Sequence, residues 1–109
     1  MASIDFDSLL KTLKDGISSL AVTTVKDYAK QAKADGMNLL ETLKTDLQTW
    51  TIEVGEGKLT LDELDFMVMS KKELIQMNAL KQAGLALVKI DEFKNGVLNL
   101  IVQGLFKLI

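Results

Sequence analysis

Not one of the 109 residues is a proline, and apolar side chains recur at steps of three and four along most of the chain. Proline ends or kinks helices, and at ordinary usage of roughly 5% a chain of this length would carry about five. A chain without it, rich in Leu, Lys and Ala, is free to be helical almost throughout. From Phe6 the apolar stripe runs through Leu9, Leu10, Leu13, Ile17, Leu20, Ala21, Val25, Tyr28 and Ala32. That is one face of a 3.6-period helix, with Gly16 as the place where it would bend. Asp35–Gly36 reads as a stop. Asn38, with Glu41 three residues on, reads as the cap of a second helix whose stripe is Leu39, Leu40, Leu43, Leu47, Trp50 and Val54.

Val54–Lys58, with glycines at 55 and 57, is the clearest loop. Thr60 followed by Glu63 forms a capping box, with Asp62, Glu63 and Asp65 in the first turn, where the helix dipole favours acids. Ser70 and Glu73 repeat the capping pattern and interrupt the stripe, which resumes at Leu74, Met77, Leu80, Gly84, Leu87, Val88 and Ile90. In the last segment, ten of the 17 residues from 93 to 109 are large and apolar, and the polar positions Asn95, Asn99, Gln103 and Lys107 form one narrow strip. The expected fold is all-α: one domain over 1–109, a small bundle of about four helices, mainly antiparallel because the connections are short. The expected spans are 4–34, 37–54, 60–92 (with a break near Ser70) and 93–109. Leu9–Lys14 and Leu39–Lys44 match at five of six positions, which fits two similar amphipathic helices; a repeat architecture would need about three units.

Composition narrows the chemistry. There is no cysteine and no histidine, so disulfides, thiol catalysis and the commonest general base and metal ligand are excluded. The net charge is −2, and every one of the 13 cations is lysine. A nucleic-acid partner would call for a basic face and arginine forks, and neither is present. Met1–Asp7 opens with acids rather than a basic and apolar leader, and no uncharged apolar window reaches membrane-spanning length, so a cytoplasmic protein is the expectation.

Candidate sites give way one by one to simpler readings. Placing Gly57 at position six of a calcium loop puts Glu63 at twelve, but Ile52 and Val54 then occupy positions one and three, where carboxylates must bind. Asp91 and Glu92, beside Lys89 and Lys94, read as a solvated ion-rich turn. Gly55–Gly57 lacks the remainder of a phosphate loop. Ser8 and Lys11 satisfy a Ser-x-x-Lys spacing on the outer face of an amphipathic helix, without a partner motif. Trp50 lies on an apolar stripe and reads as core. Met67, Met69 and Met77 suit gap-filling packing or an adaptable surface. No metal, cofactor or catalytic residue is expected.

The apolar C-terminal segment carries the functional expectation. It reads as an internal core helix, an oligomer interface or a lipid contact. At 1.5 Å per residue, a helix over 95–109 is about 22 Å long, short of the ~30 Å hydrocarbon core, and it lacks the broad basic face of an interfacial helix. The expected function is a non-enzymatic interaction or assembly module whose partner is itself, as a homo-oligomer, or another protein. Its contact residues would be Phe93, Val97, Leu100, Ile101, Leu105, Phe106 and Leu108. The alternative is an amphipathic protein bound to a lipid or membrane surface.

Overall fold

A computed structural model describes residues 6–107. Among them all regular structure is helical: α1 (Phe6–Thr24), α2 (Ala29–Thr42), α3 (Lys44–Gly55), α4 (Leu61–Met69), α5 (Asn78–Gln82) and α6 (Leu87–Phe106), with short 3-10 turns at Lys26–Tyr28 and Lys72–Leu74. The all-α class stands, and the count of about four helices becomes six. The expected helix ends at residues 4 and 109 lie outside the described residues.

The break after α1 falls where side-chain shape, not glycine, interrupts the helix. Val22, Thr23, Thr24 and Val25 are four consecutive β-branched residues, each losing χ1 freedom in a helix. Here α1 ends, and Val25 (φ −133°, ψ 52°) leads into the 3-10 turn. Gly16, the expected bend, lies inside uninterrupted α1, and Asp35–Gly36, the expected stop, lies inside α2. Asn38 is mid-helix too and caps nothing. Gly36 is needed for space: a Cβ there would sit 2.4 Å from Ile17 Cγ2, so only glycine lets α2 pack this closely on α1. Leu43 (φ −96°, ψ 8°) separates α2 from α3.

Thr60 and Glu63 form the expected capping box. The Glu63 amide donates to Thr60 Oγ1 at 3.2 Å, and the Thr60 amide donates to Glu63 Oε1 at 3.0 Å. Ser70 does not cap a helix start. It ends α4, its hydroxyl donating to the Met67 carbonyl at 2.6 Å. Both loop glycines with positive φ, Gly57 (73°) and Gly84 (89°), sit just past helix ends in Schellman turns. After Gly57 the Lys58 amide reaches the Glu53 carbonyl at 2.9 Å, and after Gly84 the Leu85 amide reaches Leu80 at 3.2 Å. α6 therefore starts at Leu87, and the expected boundary at 93 falls within it.

α6 is the central element, packed against every other helix and most extensively on α1. Those two run antiparallel, as their small-residue contacts show: Leu20 lies over Gly96, Leu100 over Gly16 and Leu13 over Gly104. The core joins Leu13 and Ile17 of α1, Leu39 of α2, Leu47 and Trp50 of α3, Leu64 of α4, Leu80 of α5 and Phe93, Leu98 and Ile101 of α6. The leucines of both matching hexapeptides feed it, Leu9 and Leu13 from the first and Leu39, Leu40 and Leu43 from the second.

Candidate interaction surface

The expected contact residues lie largely inside the molecule. Phe93, Val97, Ile101 and Leu105 are fully buried in the chain's own core. Leu100 and Phe106 are half-buried and pack against that core, the Leu100 methyls facing Gly16. Leu108 lies outside the described residues. At Phe93, Val97, Ile101 and Leu105, the face that sequence reasoning assigned to a partner is thus packed by helices of the same chain. The apolar character of α6 has an internal cause: a helix touching five neighbours has little circumference left for polar side chains. Among the described residues, no helix is long and apolar enough to cross a membrane.

The charged groups drawn furthest into the fold serve backbone atoms. Asp35, on α2, is buried, and its two carboxylate oxygens accept from the Ala79 amide at 3.0 Å and the Leu80 amide at 2.8 Å. It satisfies two of the donors that the start of α5 would otherwise leave unpaired. Lys94, on α6, donates to the Ile75 carbonyl at 2.7 Å and the Lys72 carbonyl at 3.3 Å. Burial, followed by repulsion from Lys81, holds its ammonium below the ordinary lysine value, and Asp91 opposes the shift. Lys72 reaches Asp91 at 3.0 Å. These contacts strap the 70–77 segment to α6. Asp91 and Glu92 are solvated, as expected, but they ride on α6 instead of forming a turn, and Glu92 pairs with Lys89 at 3.5 Å. Among the described residues no group of three or more acidic side chains could hold a metal ion.

Apolar surface remains elsewhere. Phe66 is 75% exposed, Leu87 72% and Val88 70%, and Leu74, Ile52, Val22 and Leu61 are also exposed. Leu87 and Val88 open α6 and line a shallow cleft of about 500 Å³ with Lys81, Ile90, Asp91, Glu92 and Lys94. Phe66 and Met67 line a second depression on α4, of about 340 Å³, with Asp62 and Glu63. Trp50 and Met77 are core residues, as the stripes imply, and Tyr28, Met67 and Met69 pack partly buried against the core.

Sequence reasoning placed Leu74, Leu87 and Val88 on one continuous buried stripe. It missed that α5 stops at Gln82 and that Gly84 turns the chain, so the helical phase does not carry across. Gly84, four residues after Leu80, was the available signal. No protein-family model matches this chain, and no curated protein or solved structure is significantly similar to it.

Proposed function

We propose that this chain is a non-enzymatic interaction module that assembles through protein contacts, with a second copy of itself as the partner. The observation that carries the reading is the exposure of Phe66, Leu87 and Val88 on a fold whose core is already filled from its own six helices. Their exposure is not the by-product of an incomplete core. Fully burying side chains of this size is worth about 1.5–3 kcal/mol each, so a contact covering several of them has a sufficient driving force. A protein partner is favoured over lipid because neither depression is basic: acids alone (Asp62 and Glu63) border the one on α4, and in the Leu87–Val88 cleft Asp91 and Glu92 offset Lys81 and Lys94, whereas a helix lying on an anionic membrane presents a broad basic face.

Sedimentation velocity over a wide concentration range tests the reading. Reversible association that grows with concentration is the expected result, together with no flotation on anionic phosphatidylserine vesicles. A monomer at every concentration would overturn it.

A further inference from the structure

The two exposed apolar patches differ in charge: the one on α4 is acidic, and the Leu87–Val88 cleft is lined by two lysines and two acids. α4 holds Asp62, Glu63 and Asp65 around Phe66 and has no cation over residues 61–69. The segment forming the other patch, residues 71–94, has five lysines against three acids. Two of those acids and three of those lysines are already paired within the chain, Asp91 with Lys72 at 3.0 Å, Glu92 with Lys89 at 3.5 Å and Lys71 with Asp46 at 3.7 Å, and Lys94 donates to backbone carbonyls. Lys81, on the wall of the Leu87–Val88 cleft, has no ion-pair partner among the described residues, and neither do Asp62 and Asp65. The patches do not cover one another within a single chain, because Phe66, Leu87 and Val88 all stay at least 70% exposed.

On the reading that the chain self-associates, we infer that Phe66 of one copy seats in the Leu87–Val88 cleft of a second copy, with the acids of α4 set against Lys81. Apolar contact supplies the attraction, and the flanking charges fix which surface meets which. The contact is heterologous, since it joins two different surfaces, and every copy carries one of each. Phe66 has the character of an anchor residue: a large, protruding aromatic ring on a rigid helix, which loses little freedom on docking.

The test uses three surface variants of the full chain, Phe66→Ser, Val88→Ser and Lys81→Glu, compared with the wild type by sedimentation velocity. All three positions are exposed, and unchanged circular dichroism confirms that each variant folds. Phe66→Ser and Val88→Ser are each expected to weaken self-association by roughly tenfold or more, and Lys81→Glu by less. Mixing Phe66→Ser, which keeps its cleft, with Val88→Ser, which keeps its ring, restores one intact contact and yields a 1:1 complex. Raised salt weakens association of the wild type by screening the flanking charges. If the wild type associates and the Phe66→Ser and Val88→Ser variants associate equally well, this pairing of surfaces is overturned and self-association stands. If the mixture fails to form a complex after both single variants become monomeric, the pairing is likewise overturned. A wild type that remains monomeric, with or without binding to vesicles, overturns both the pairing and the self-association on which it rests.

Discussion

A Cβ built on Gly36 would meet Ile17 Cγ2 at 2.4 Å, whereas one built on Gly16 would meet Leu100 Cδ1 at 3.4 Å. The first is a collision with a buried β-branched side chain; the second is ordinary contact with the end of a flexible one. Both positions are mid-helix, where alanine is favoured over glycine by about 1 kcal/mol. Gly16→Ala should therefore stabilise the fold by up to about 1 kcal/mol. Gly36→Ala should destabilise it by about 1–2 kcal/mol, because overpacking costs more than the propensity gain. Urea titration of the two variants reads the opposite signs directly. Asp35 calls for a different experiment, since it holds backbone donors on a distant element. Asp35→Ala leaves the Ala79 and Leu80 amides without their charged acceptor and should cost about 2–4 kcal/mol. Amide exchange separates this from general loosening: protection at 79 and 80 should be lost first, with α1 and α6 still protected. Asp35 looked like punctuation because Asp-Gly commonly marks turns. Its role depends on a segment 44 residues away, which local spacing does not reveal.

Element boundaries were legible where the signal was chemical and local. The Thr60–Glu63 capping box needs only residues three apart, and it formed as read. Hydrogen bonds from the Thr60 amide, and then from its side chain, hold the Glu63 carboxyl below its ordinary value. A depressed folded-state value means that the unfolded chain binds the proton more readily. The contribution of Glu63 is therefore present above the ordinary glutamate range and is lost as pH falls through the folded value. The stability difference between wild type and Glu63→Gln should accordingly shrink on acidification below about pH 4, as followed by urea midpoints across pH. Boundaries set by shape were harder to see. The β-branched run Val22–Val25 ends α1 with no glycine or proline to announce it, and Gly16 and Gly36, which did attract notice, are packing residues. A glycine in a helical stripe has two readings, stop or crossing point, and only the partner helix decides between them.

For the whole molecule, the apolar excess of residues 93–109 correctly announced a helix that must be covered; sequence could not say by what. Coverage comes from five helices of the same chain, and the large apolar side chains left most exposed are Phe66, Leu87 and Val88. Folding and the proposed association then rest on different side chains, and charge insertion separates them. Ile101 is fully buried in the core, so Ile101→Asp places an unpaired carboxylate where neither water nor a cation reaches it. A cost above about 4 kcal/mol is expected there, a large fraction of the roughly 5–15 kcal/mol that holds a domain of this size together. Val88, at 70% exposed, tolerates Val88→Asp within about 0.5 kcal/mol. Thermal melts followed by circular dichroism should show Ile101→Asp largely unfolded and Val88→Asp close to wild type. A folded Ile101→Asp would overturn this separation of core from surface.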